Sequence, residues 1–338
     1  MRHIRIRIHQ ALKIDPQHIF NINNAAGFEK IALELFYFQA EYNPVYRAFL
    51  QYLRVKATDI VAVSDIPFMP VELFKHHKVY IGAGEPQKVF TSSGTTGALT
   101  SKHYVADLNL YEKSFSSCFE RFYGDISKHC VLALLPSYLE REGSSLVYMA
   151  DNLIKASGHP DSGFYMHNYS ELVQKIKQLK AQQQAVLLLG VTYALMDLAE
   201  MGCEPGEHCI VMETGGMKGK RPEMLREELH GYLKQKMKIT SVHSEYGMTE
   251  LLSQAYSNGD GVFTCPPWMK VMIRGMNDPL QYLDPGRTGG MNVIDLANVY
   301  SCSFIATKDL GKIHPDGKFE ILGRFDNSDI RGCNLLVS

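Results

Sequence analysis

The sequence predicts an α/β protein built on a parallel sheet, and three observations predict it. Short β-rich runs alternate with amphipathic stretches of helical period through the middle of the chain. Each run ends in a polar or glycine-rich turn, and after Gly259 the pattern changes to turns and short strands with few helical signals. Strand, loop, helix in repetition places parallel strands side by side, with ligands at their carboxyl ends. Two domains follow: residues 1–258 as the α/β core with a helical N-terminal region, and residues 259–338 as a smaller β-rich lobe.

Taken in order, residues 15–57 carry Phe, Leu, Tyr and Ile at three- and four-residue intervals, which predicts helix, and Pro44 divides that helix in two. IPFMPVELFK, residues 66–75, is expected to be irregular, because Pro67 and Pro70 each lack a backbone donor. VLALLPSY (131–138), AVLLLGVTY (185–193), CIVMETGG (209–216) and KITSVHSEYG (238–247) read as buried strands. The stretches SLVYMADNLIKASG, SELVQKIKQLKAQQQ and RPEMLREELHGYLKQKM read as the helices between them. Beyond residue 259, DPGRTGG (284–290) and HPDGKFEILG (314–323) supply the turns and short strands of the lobe.

Composition excludes several classes of function. With 45% hydrophobic and 21% charged residues in 338, the chain has the make-up of a folded protein. A formal net charge of −1 lacks the basic footprint of nonspecific nucleic-acid binding, so no nucleic-acid partner is expected. The longest apolar run, residues 185–196, is interrupted by Gly and Thr and falls short of the ~20 residues of a spanning helix, and MRHIRIRIHQ at the N-terminus has no continuous apolar region. No membrane insertion and a cytoplasmic location are expected. The seven cysteines, Cys118, Cys130, Cys203, Cys209, Cys265, Cys302 and Cys333, are odd in number and contain no CxxC pair, which argues against a disulfide framework and against a zinc knuckle.

The segment TSSGTTG, residues 91–97, concentrates hydroxyls and glycines directly after the strand-like KVF. It lacks the Gly-Lys-Ser/Thr ending of a Walker loop, and IGAGEPQ (81–87) carries only two of the three dinucleotide-binding glycines. The composition itself suits polyanion binding through converging amides and hydroxyls, and it equally describes a solvated turn.

Four motifs in order, TSSGTTG, then YGMTE (246–250), then TKDLG (307–311), then GRFD (323–326), resemble the adenylate-forming superfamily of acyl-CoA synthetases and related ligases. IPFMPVELFK just before VFTSSGTTG, the short chain, and RGCNLLVS at its end are similar to the acyl-protein synthetase (LuxE-like) branch, whose known members activate fatty acids in bacterial bioluminescence. The similarity covers roughly residues 40–338. It implies a large N-terminal-type adenylate-forming domain, parallel sheets flanked by helices with a smaller β-rich lobe, and no full C-terminal swing domain.

The resemblance also implies roles. Ser92, Ser93, Gly94, Thr95, Thr96 and Gly97 hold the β and γ phosphates of ATP; Tyr246, exposed at a strand end before Gly247, lies against adenine; Thr249 binds the α-phosphate; and Glu250 holds Mg²⁺. Gly215 and Gly216 form the turn beside adenine, Asp309 accepts hydrogen bonds from the ribose hydroxyls, and Arg324 assists it. Relatives follow the loop with Gly-x-Pro-Lys, whereas here the first lysine is Lys102. A carboxylic acid, by resemblance a fatty acid, attacks ATP, pyrophosphate leaves, and AMP is released when the acyl group moves on. Cys333 corresponds in placement to the acylated cysteine of acyl-protein synthetases, with Arg331 two residues away. An acyl-accepting reductase or carrier protein is then the implied partner. Two alternatives stay open: a ligase delivering to coenzyme A, and a nucleotide-binding relative without catalysis. Residues 135–149 and LLLGVTYALM read either as apolar lining for the acid or simply as core, the commoner fate of such runs.

Overall fold

Consecutive apolar residues with no polar alternation suit a strand covered on both faces, which is the setting of a parallel sheet. A computed structural model describes residues 14–93, 99–136, 141–215 and 224–325. In chain order their helices are α1 (Ala25–Tyr42), α2 (Pro44–Tyr52), α3 (Leu73–His76), α4 (Leu108–Tyr123), α5 (Ser145–Ser157), α6 (Tyr169–Ala181), α7 (Thr192–Glu200) and α8 (Arg226–Met237). The strands are β1 (Met69–Pro70), β2 (Lys88–Thr91), β3 (Lys102–Val105), β4 (Cys130–Leu134), β5 (Gly163–Phe164), β6 (Val186–Gly190), β7 (Cys209–Glu213), β8 (His243–Tyr246), β9 (Ala255–Ser257), β10 (Val262–Phe263), β11 (Met269–Arg274), β12 (Thr288–Asp295), β13 (Phe304–Ile313) and β14 (Phe319–Arg324). The described residues divide into two units, one of residues 14–88, 101–107 and 267–325, the other of residues 89–100 and 108–266.

The second unit is the α/β one. Its sheet runs β5-β4-β6-β7-β8-β9, parallel from β5 through β8, with β9 antiparallel at the end. Every residue of β4 and β6 is buried, as a doubly covered strand requires. Helices α5, α6 and α8 make crossovers where the sequence pattern predicts them, and α7 makes another, starting at Thr192 inside the run expected as strand, because β6 ends at Gly190. Helix α5 stops at Gly158, whose φ of +62° is a left-handed cap suited to glycine. The β8 strand begins at His243 rather than at Lys238, because α8 runs to Met237 and Lys238 caps it at φ +53°.

In the first unit the antiparallel order is β14-β13-β12-β11, with β1 beside β13. The helical N-terminal region groups with this β-rich part rather than with residues 108–258, and buried polar side chains explain the grouping. Gln39 of α1 is fully buried and donates to Asn298 O, Val299 O and Ser303 Oγ, while its Oε1 accepts from Ser303 N. Asn43 caps α2 through Val45 N and Tyr46 N, with Pro44 at the first helical position, and its amide reaches Ser301 O. The rings of Phe36, Tyr46, Phe68 and Phe304 close the core.

The segment expected to be irregular is partly regular. Met69 and Pro70 pair in parallel with Ile305 and Ala306, and Val71 N donates to Ala306 O. A two-residue strand at the sheet margin tolerates Pro70, since the ladder bond is made by the residue that follows it.

Candidate functional site

The carboxyl ends of the parallel strands lie level with one another. Leu134 pairs with Gly190 and Gly190 with Glu213, so the loops after β4, β6 and β7 leave one edge of the sheet together. Thr91, at the end of β2, donates its N–H to Gly143 O at 2.7 Å, in the loop after β4. A Cβ on Gly143 would fall 2.5 Å from Thr91 Oγ1, so the approach needs glycine. Ser92 and Ser93 therefore start from that edge, Ser92 half-buried and Ser93 exposed. Gly94, Thr95, Thr96 and Gly97 lie outside the described residues.

Glu213 ends β7 with its carboxylate inside the protein, 2% exposed. Its Oε2 accepts from Gly215 N at 2.6 Å, and its Oε1 faces Arg226 Nε at 3.3 Å and His230 Nε2 at 3.8 Å. Burial raises its pKa; His230, the Arg226 charge, Ser244 and the Gly215 N–H more than offset that, and the carboxyl sits below the usual glutamate range. Gly215 has φ +75°, a left-handed turn held by the side chain two residues earlier. Gly216 lies outside the described residues.

In β8, alternation sends Ser244 and Tyr246 to one face and His243 and Glu245 to the other. Ser244 Oγ is 3.4 Å from His230 of α8, and His243 Nδ1 is 3.2 Å from Tyr123 Oη of α4. Tyr246, expected to be exposed, is 8% exposed: β9 pairs alongside it and the Phe263 ring packs edge-on at 6.2 Å. Gly247 is exposed, Thr249 half-buried and Glu250 buried. Burial, then the nearby Glu213 charge, push Glu245 up to about 8.

In the β-rich unit, Asp309 on β13 stands opposite Arg324 on β14, with Arg324 Nε 3.4 Å from Asp309 Oδ1. Asp309 is buried and Arg324 mostly exposed, so the pair presents a cation over a sheltered carboxylate. Arg274, at the end of β11, clamps three strands: it donates to Met291 O at 2.5 Å, Asn292 Oδ1 at 2.8 Å and Thr307 O at 2.6 Å. Burial lowers its pKa, and the charge of Asp309 opposes the shift. Gly290 makes room for this guanidinium, since a Cβ there would meet Arg274 Cζ at 2.6 Å. Lys102 is exposed on β3.

Among the described residues, the sites expected from sequence thus fall in two groups. The α/β unit gathers Ser92, Ser93, Gly215, Tyr246, Gly247, Thr249 and Glu250, and the β-rich unit pairs Asp309 with Arg324. Cys333 lies outside the described residues. Glu213, His230, Glu245 and Arg274 are the residues that sequence reasoning passed over. Glu213 and Glu245 stood inside quoted motifs but were masked by their glycine and tyrosine neighbours. Arg274 left no signal, because its partners lie 17 to 33 residues away.

No protein-family model and no curated protein sequence matches the chain. Solved structures do. The structure of 2-hydroxyisobutyryl-CoA ligase in complex with 2-HIB-AMP and CoA in the thioesterification state matches with a TM-score of 0.66 at 15% identity, covering 90% of this chain and 69% of that one. The same ligase in its postadenylation state with 2-HIB-AMP matches at 0.65 and 13%, covering 90% and 70%. ATP-bound MatB from Rhodopseudomonas palustris matches at 0.53 and 18%, covering 72% and 49%. The chain therefore spans about half the length of the MatB structures it matches. At these identities the likeness shows the fold, an α/β architecture shared with these ligases.

Proposed function

We propose that the protein activates a carboxylic acid with ATP to an acyl-adenylate, releasing pyrophosphate, and then passes the acyl group to a thiol. The observation that carries this reading is that the Thr91 segment and YGMTE both leave the carboxyl edge of the parallel sheet, in a fold shared with ligases solved with ATP or an acyl-AMP. Ser92 and Ser93, with Gly94, Thr95, Thr96 and Gly97, would hold the β and γ phosphates, and Thr249 the α-phosphate. Tyr246 and the Gly215–Gly216 turn would flank adenine, the turn being set by Glu213, while Asp309 with Arg324 would take the ribose hydroxyls.

A carboxylate oxygen of the acid bonds the α-phosphorus as the bridging bond to pyrophosphate breaks. No general base is needed, since the acid is ionised at neutral pH. Magnesium fits this site through donor chemistry. Glu250 is a buried hard oxygen donor, and such an ion is commonly held by one or two carboxylates together with substrate phosphates. Bound there, it would neutralise charge on the departing pyrophosphate. The chain's own part is positioning: amides and hydroxyls of the Ser92 segment on the phosphates, Thr249 at the reacting phosphorus.

A thiolate then attacks the acyl carbon and AMP leaves. Cys333 is one acceptor, in which case a reductase or carrier protein would receive the acyl group from it. Coenzyme A is the other, and the ligase complex with CoA in its thioesterification state favours it. Pyrophosphate release measured across a panel of carboxylic acids tests activation, and release with none of them would end this reading. Intact mass after incubation with ATP and the accepted acid should gain an acyl group that Cys333→Ser abolishes if Cys333 is the acceptor. If coenzyme A is the acceptor, Cys333→Ser leaves thioester formation unchanged.

A further inference from the structure

The strand that carries Asp309 leaves the register of its neighbour where Asp309 sits. Along β12 and β13, Gly290 pairs with Leu310 and Asn292 with Ala306, so Met291 alone stands against Thr307, Lys308 and Asp309. Such a bulge re-aims the side chains it carries, and it interrupts the ladder, so its backbone groups must find partners elsewhere. Arg274 supplies them. Its Nη1 donates to Met291 O at 2.5 Å and to Asn292 Oδ1 at 2.8 Å, and its Nη2 donates to Thr307 O at 2.6 Å. One planar guanidinium thus spans both sides of the gap.

The bulge is also tied from within. Thr307 Oγ1 donates to Met291 O at 3.0 Å and accepts from Asp309 N at 3.1 Å, so Arg274, Met291, Thr307 and Asp309 share one chain of hydrogen bonds. Arg274 reaches the partner strand too: its Cζ lies 5.8 Å from the centre of the Phe325 ring, and Phe325, the residue after Arg324, donates its N–H to Lys308 O at 2.7 Å. Gly290, the partner of Arg274 across β11 and β12, admits the guanidinium, since a Cβ there would fall 2.6 Å from Arg274 Cζ. Asn292 and Thr307 are both buried, so loss of the guanidinium would leave buried acceptors short of donors.

We propose that Arg274 is a positioning residue: its guanidinium, accommodated by Gly290, sets the Thr307–Asp309 bulge so that the Asp309 carboxylate is aimed to accept from the vicinal diol of a ribose. The inference rests on the assignment of Asp309 to ribose in the function proposed above and goes beyond it, because neither Arg274 nor Gly290 belongs to the four ordered motifs. Arg274 acts here through Asp309 and not by touching the nucleotide. Lysine would replace it only in part, since an ammonium is a point charge without the fork that reaches carbonyls on two strands at once.

Calorimetric titration with ATP and with 2′,3′-dideoxy-ATP, which lacks both hydroxyls, tests this with no acid present. The parent should bind ATP about tenfold more tightly than the dideoxynucleotide, the value of a hydrogen bond to a charged acceptor. Arg274→Met should weaken ATP about tenfold and leave the dideoxynucleotide nearly unmoved, bringing the ratio close to one. A general loss of structure would weaken both nucleotides alike. Gly290→Ala, which displaces the guanidinium without removing it, should lower the ratio in the same way, and Arg274→Lys should recover only part of it. In acid-dependent pyrophosphate exchange the same variants should raise the KM for ATP and not the KM for the acid. Should one variant fail to fold, the others decide. A parental ratio in the folded variants, equal weakening of both nucleotides, or a parent that binds the two alike would each overturn the proposal. Acid activation is judged apart from this, by exchange in the parent: none with any acid ends that reading, while the titrations still decide the role of Arg274.

Discussion

Glu213 and Glu245 sit on adjacent strands with opposite titration, and the difference is entirely one of partners. Glu213 has Arg226, His230 and a backbone N–H, whereas Glu245 has burial and a like charge. Glu245 has a folded-state pKa near 8 against an ordinary 4.5, so between those values the native protein holds a proton that the unfolded chain has lost. Stability from this group is full below the lower value and declines as pH rises through the upper one. Glu245→Gln should flatten that decline: its stability relative to the parent should rise by about 4 kcal/mol from pH ~5 to pH ~9, measured by urea unfolding. A difference independent of pH would contradict the assigned environment. Glu213→Ala is expected to cost about 3 kcal/mol in the same assay, because Arg226 loses its counter-charge and the Gly215 N–H its acceptor. None of these partnerships is visible in sequence, since Glu213 and His230 are brought together by a crossover and not by spacing along one element.

At the scale of elements, the parallel strands and their helices were legible because each carries its own period, and α5 and α6 fall where the apolar spacing puts them. Boundaries set by backbone geometry were less so: Lys238 reads as strand by composition but caps α8 in a left-handed conformation. The β1 pairing was illegible for a different reason, since it depends on β13, more than 230 residues on. The β13–β14 hairpin that carries Asp309 and Arg324 has a register shift between Leu310 and Gly311. A Cβ on Gly311 would lie 2.6 Å from Met291 Sδ and 2.7 Å from Glu320 O. Gly311→Val should therefore destabilise by about 1–3 kcal/mol and weaken nucleotide binding, whereas Gly84→Ala, which meets nothing within 4 Å, should be close to neutral. Thermal unfolding with and without ATP separates the two effects.

At the scale of the whole molecule, the proposed function gives Asp309 the ribose hydroxyls of ATP, as the motif resemblance implies. Asp309→Ala should lower ATP affinity by about tenfold, the value of a charged hydrogen-bond acceptor, and shrink the rise in unfolding temperature that saturating ATP gives. Calorimetric titration reads the first and a thermal scan the second. The Thr91 segment, YGMTE, TKDLG and GRFD stand out in the sequence only as a resemblance, while the contacts of Glu213 with Gly215 and of Arg274 with Thr307 came only with the fold. The most direct measurement of the central claim is isotope exchange between labelled pyrophosphate and ATP with the acid present and absent. Acyl-adenylate formation predicts exchange that requires the acid, is lost in Thr249→Ala, and in Asp309→Ala needs about tenfold more ATP. ATP binding with no acid-dependent exchange, across acids of every chain type, would contradict it.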